Sequence, residues 1–189
     1  GELDPTTQLE VAQNLINSDI DALILNPTDT EALADPAEEA TDQGIPTFTM
    51  NSTAASSDIK LYTAFGNFAA GRRAAEEAVS ALERQKGAKE GNLVEVMIRQ
   101  STALGVDRHE GTVEGIEQYD NVNIVGEIVT ENTRQDTSEK VVSFLQNNPD
   151  VDGFVGHALT VGSGIVNALD RQDQLVPKGE DGHKIISFI

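Results

Sequence analysis

Residues 22–26 read ALILN, break at Pro27-Thr28-Asp29, and resume with helical spacing from Glu31. An apolar run with no polar residue at alternate positions marks a strand covered on both faces. Such strands belong mainly to parallel sheets flanked by helices. Comparable runs recur at 45–51 (IPTFTMN), 59–64 (IKLYTA), 92–98 (NLVEVMI), 123–129 (NIVGEIV), 152–156 (DGFVG) and 184–189 (KIISFI). Helical patterns separate most of them. One covers about 5–17, with Leu9, Ala12, Leu15 and Ile16 on one face. A second is expected from an N-cap at Thr28 or Asp29 to a terminal Gly44, with Pro36 kinking it. Others run from after Asn67 to about Arg84 and fall at about 106–119, 137–147 and 161–171, the last capped by Thr160. This alternation predicts an α/β chain with doubly wound parallel sheets, whose ligand sites lie at the carboxyl ends of the strands.

The rhythm breaks once. Run 59–64 follows run 45–51 across only Ser52 to Asp58, too short a link for a crossover helix. The chain is expected to leave one sheet there and begin another, giving lobes at 1–65 and 66–189.

The balance of 32 Asp+Glu against 13 Lys+Arg, net −19, repels nucleic-acid phosphate, and no basic stripe offsets it. With no cysteine, disulfides, thiolate metal sites and a cysteine nucleophile are excluded. No run approaches the length of a membrane span. The chain opens at Gly1 without a signal peptide and reads as a processed or excised piece. Acids crowd the helical surfaces (Glu38-Glu39, Glu76-Glu77, Asp35, Asp42), and lysines are few. That surface suits a protein working in concentrated salt, as in a halophile.

Catalytic motifs are missing. His109, His157 and His183 are scattered, and His109-Glu110 reads as a solvated pair. Glu180-Asp181-Gly182-His183 lacks calcium-loop spacing and reads as an acidic turn. Gly162-Ser163-Gly164 lacks the third glycine of a dinucleotide loop and reads as a tight helix start. Phosphate-loop and nucleophile-elbow motifs are absent, so the expected activity is binding, with no enzyme chemistry, metal or cofactor.

The ordered set LILNPTDTEAL, GIPTFTMN, the R-x-x-G from Arg108 to Gly111, and NNPDVDGFVGHALTVGSGIVNAL resembles the ribose-type periplasmic sugar-binding proteins. These are the solute receptors of ABC importers, with the type I periplasmic-binding fold. Lactose-repressor-type regulators share the fold and much of the pattern, which keeps a sensor domain as the alternative. The resemblance implies an extracytoplasmic receptor that holds a monosaccharide or related polyol between two lobes. It would serve the membrane subunits of an importer and touch the membrane only through an anchor outside this chain. The family's opening strand and helix would precede Gly1 and its last segment would follow Ile189, so an incomplete first lobe is expected.

Carried over by position, the resemblance implies ligand contacts from Asn26, from Asn51 and Ser52, from Arg108, from Asn132 and Arg134, and from His157. Planar polar forks suit a sugar because each meets neighbouring hydroxyls. Ser52 stands where an arginine is common, Val106 is apolar, and Asn132 stands at an aromatic position. The ligand is therefore expected to differ from ribose or to be held differently; its identity stays open. Local readings also stay open: Asn26 as a helix cap, Arg108 paired with Asp107 or Glu110, and Arg134 as a solvated loop residue.

The charge yields the first prediction. Melting temperature should climb steeply from low to molar salt as self-repulsion is screened within about 3 Å at 1 M. A flat salt dependence in a thermal melt would rule out the high-salt reading.

Overall fold

A computed structural model describes residues 4–56 and 58–189. They form two compact units, one running up to Gly66 and including Gln100–Val106, the other made of Asn67–Arg99 and Asp107–Ile189. The first unit thus takes a segment from beyond the expected boundary.

In the first unit α1 (Pro5–Ile16) starts with Pro5 behind Asp4, whose Oδ1 accepts the Thr7 N–H at 2.7 Å. Strands β1 (Leu23–Leu25), β2 (Thr47–Met50) and β3 (Leu61–Thr63) form a parallel sheet in that order. The expected change of sheet after β2 therefore does not occur, since β3 pairs with β2 through Phe48↔Leu61 and Met50↔Thr63. Among the described residues of the link between β2 and β3 there is no helix, and Ala54 is buried with Leu23, Leu25 and Leu33. Helix α2 (Ala34–Asp42) is shorter than expected, because Asp29 caps a turn instead: its Oδ1 accepts the N–H groups of Glu31 and Ala32. Pro36 thereby falls in the first turn, where its missing N–H costs no helical bond, and no kink is required. Gly44 follows the helix at φ 81°, as a C-terminal glycine should.

The second unit carries β4 (Gly91–Ile98), β5 (Val122–Thr130), β6 (Gly153–Gly156) and β7 (Ile185–Phe188), parallel in the order β5-β4-β6-β7. Helices α3 (Asn67–Lys86) and α4 (Ala103–Glu117) cover one face; α5 (Arg134–Asn147) and α6 (Leu159–Arg171) cover the other. Consecutive β7 residues show both layers: the Ser187 hydroxyl donates to Ala74 O of α3, while Phe188 packs on Gly162 of α6. The core under α3 joins Ala75, Ala78, Val79 and Leu82 to Leu93, Val155 and Ile185. Helix α6 begins at Leu159 with Ala158 as N-cap, so Thr160 lies inside it. Gly162 and Gly164 do not tighten its start; they admit the Phe188 ring and Thr137.

Helices α3 and α4 touch through backbone. A Cβ on Gly71 would fall on the carbonyl oxygen of Arg108, and one on Gly111 on that of Phe68. The glycine of R-x-x-G is therefore a packing requirement. Gly111→Ala should destabilise the protein by about 1–3 kcal/mol, since backbone cannot move aside as a side chain can. Urea denaturation would show this as a lower midpoint; an unchanged midpoint would mean that α4 can shift freely.

Candidate functional site

In the first unit the parallel register Leu25↔Thr49 brings Asn26 and Asn51 to the carboxyl edge of neighbouring strands. Asn26 is exposed and caps no helix. Its carbonyl accepts from Gln8 Nε2 at 2.7 Å, while Gln8 Oε1 accepts from both the N–H and the hydroxyl of Thr28. Gln8 of α1 thus ties down the turn after β1. Asn51 is half-buried at φ 63°, a left-handed conformation that asparagine tolerates better than most residues. Its N–H donates to Thr63 O at 2.8 Å and its carbonyl accepts from the Tyr62 hydroxyl. These bonds hold the backbone and leave the side-chain amide without a partner among the described residues. Ser52, by contrast, is fully buried with an unpartnered hydroxyl.

The second unit repeats the pattern. Asn132 follows β5 at φ 54°, and its Oδ1 accepts from the Thr160 hydroxyl. Arg134 opens α5 and is exposed. Arg99 after β4 pairs with Glu131 after β5. Arg108 pairs with neither Asp107 nor Glu110. Its Nε donates to Asn67 Oδ1 at 2.9 Å and its Nη1 donates to the His157 carbonyl, bracing the start of α3 against the end of β6. Burial lowers the Arg108 pKa, since nothing acidic faces the guanidinium to offset its desolvation.

His157 departs from the expected ligand role. Its ring is fully buried, with Nε2 2.7 Å from Glu95 Oε1 and Nδ1 unpartnered. The other oxygen of Glu95 lies 2.9 Å from His109 Nδ1, so His109 is turned inward rather than solvated with Glu110. Glu127 brings a carboxylate oxygen to the same place: it, a Glu95 oxygen and a His109 ring nitrogen all lie within 4.8 Å of one another. Sequence reasoning misses Glu95, yet the signal is present, a lone acid inside the buried strand LVEVMI.

A cavity of about 890 Å³ lies at the opposite, amino-terminal ends of β4, β6 and β7, lined among others by Lys86, Asn92, Asp152 and Lys184. It shares no residue with the carboxyl-end positions. In open α/β sheets it is the carboxyl edge that takes ligands.

Parallel sheets, covered by helices on both faces in the second unit, with polar groups gathered beyond their carboxyl ends, define an α/β protein of the ligand-binding type. The chain belongs to the periplasmic binding protein domain family, which matches residues 1–184. It is 26% identical over 182 residues to the ribose import binding protein of Bacillus subtilis, covering 96% of this chain and 57% of that protein. It is 24% identical over 167 residues to the xylitol-binding protein of Mycolicibacterium smegmatis, covering 88% of this chain and 46% of that one. The chain thus spans about half the length of these relatives. The fold is shared with a carbohydrate transporter solute binding protein from Agrobacterium radiobacter, solved with D-arabinose (TM-score 0.85, 21% identity, 91% of this chain and 58% of that one). It is shared equally with the fructose binding periplasmic domain of a hybrid two-component system (TM-score 0.85, 21% identity, 97% and 58%). Among the described residues no helix is long and apolar enough to cross a membrane.

Arg108→Ala should cost about 1–3 kcal/mol of stability by stripping Asn67 and the His157 carbonyl of their donor. Arg108→Lys should recover part of it. Chemical denaturation checks this: full stability with a loss of ligand affinity would move Arg108 from bracing to ligand contact.

Proposed function

We propose that this chain is the carbohydrate-binding part of an extracytoplasmic solute receptor. The receptor would serve the membrane subunits of an ABC importer, with any membrane attachment outside the chain. Its ligand is a monosaccharide or related polyol, and the candidate contacts are Asn26 and Asn51 of the first unit and Asn132 and Arg134 of the second. The observation that carries this reading is the pair of asparagines, Asn51 and Asn132, each held left-handed just beyond a strand end. Non-glycine residues persist in that conformation where the surroundings impose it, and such positions cluster at ligand clamps. The likeness to sugar- and polyol-binding relatives supports the same ligand class. Asn and Arg side chains without an acid–base or nucleophile set at the strand ends support binding without turnover. The acidic surface supports work in concentrated salt.

The fold alone also suits a sensor domain, since the fructose binding periplasmic domain of a two-component system shares it. The import reading is preferred because the ribose import binding protein matches nearly the whole chain.

Calorimetric titration of the full-length protein with pentoses, hexoses and pentitols tests the proposal; at least one should bind and be recovered unchanged. Asn51→Gly keeps the left-handed backbone while removing the amide, and should weaken that ligand by about 1–3 kcal/mol with little change in stability. Failure of every sugar and polyol to bind would overturn the ligand class. Unchanged affinity in the variant would remove Asn51 from the site.

A further inference from the structure

The cluster at mid-strand Glu95 plays no part in that ligand reading. Glu95 is 1% exposed in the centre of β4, and its register partner on β5 is Glu127, a second carboxylate on the same sheet face. Like charges placed directly opposite on neighbouring strands destabilise a sheet. Buried charges persist when they are paired or coordinate a metal. His109 of α4 covers the pair, its Nδ1 2.9 Å from Glu95 Oε2.

We propose that Glu95, His109 and Glu127 form a binding site for a divalent transition-metal ion of the zinc type. Three observations converge on it. Each residue offers one ligand atom, and the three atoms lie within 4.8 Å of one another. Bonds of about 2.0–2.2 Å to a common ion need only a slightly tighter arrangement. Glu127 is exposed and attached to no other described group, so it is free to close that gap. Second, the oxygen of Glu95 facing away from His109 is held by His157 Nε2 at 2.7 Å, from a ring that is itself fully buried. That is the outer hydrogen bond by which proteins orient a ligating carboxylate. Third, two carboxyl groups are brought together in a place where the chain supplies no lysine or arginine partner to either among the described residues, a set of donors that one divalent ion complements.

The donor set also selects the ion. One imidazole with two carboxylates suits zinc and its neighbours, whereas calcium and magnesium favour oxygen donors alone. Exposed Glu127 leaves the remaining coordination to water, as in a three-ligand zinc site. Without metal, His109 Nδ1 and Glu95 Oε2 share a hydrogen bond of 2.9 Å.

Titration of the full-length protein with Zn2+ by calorimetry tests the site. One saturable equivalent is expected, with Mg2+ giving none at the same concentration. His109→Ala and Glu127→Gln should each weaken Zn2+ at least about tenfold, while His183→Ala, outside the cluster, should leave it unchanged. Circular dichroism establishes that each variant is folded. Co2+ in place of Zn2+ should give a visible absorption band that shifts in Glu127→Gln, so the test survives a His109 variant that does not fold. Absence of saturable Zn2+ binding, equal binding of Mg2+, or an affinity that either folded variant leaves unchanged would overturn the proposal.

Discussion

The direct contact of the α3 and α4 backbones sets the rest of the second unit. Gly71 and Gly111 leave no room for a Cβ, so α4 can lie against α3 at only one depth and one rotation. Gly115 repeats the requirement a turn later, beside Ala75. With α4 so placed, two consecutive residues reach in different directions. Arg108 turns towards Asn67 and the end of β6; His109 turns down onto Glu95 in the middle of β4. A small slide of the helix would break both sets of bonds at once. Close backbone approach through small residues is therefore what allows a polar bracing system inside an otherwise apolar layer.

Much of this architecture is legible in the chain because parallel strands leave apolar runs, yet only β4 and β6 are buried on both faces; in β1 the expectation of cover on both faces fails, since Ile24 is 68% exposed. All seven runs become strands, shifted by only a residue or two at their ends. Helix starts are less legible, since a capping residue can serve a turn as well as a helix. Asp29 closes a turn five residues before α2, and Thr160 is overtaken by a helix that starts at Leu159. The link between β2 and β3 misleads for a different reason: Ala54 is buried in the first unit's core, and no helix is found among the link's described residues.

The site divides along the same line. Asparagines beyond strand ends can be read from position, because a strand end is visible in the pattern. Side-chain direction cannot be read where both faces of a strand are buried, as alternation then carries no sign. β6 is buried at all four residues, so nothing in GFVGH tells whether His157 looks outward or inward. Its inward turn depends on Glu95, which lies 62 positions earlier in the chain. Ser52 is similar: it is fully buried directly after the left-handed Asn51, a backbone choice that the residue types permit without requiring.

Charge is distributed with equal economy around β6. The chain has 13 basic residues against 32 acids, yet two of those cations are partly withdrawn from water to serve backbone carbonyls. Lys184 Nζ donates to Val151 O at 2.6 Å just before β6, and Arg108 donates to His157 O just after it. Burial lowers the pKa of both groups, with Asp152 and Asp150 partly opposing the shift at Lys184. Such desolvation costs stability unless the bond made in return holds something that cannot hold itself. A four-residue strand bounded by Gly153 and Gly156 is such an element, because its glycines bring little side-chain packing and much chain entropy. The two cations anchor its ends. The position of Ala158 and the start of α6, and with them the carboxyl edge of the sheet, follow from where β6 is held.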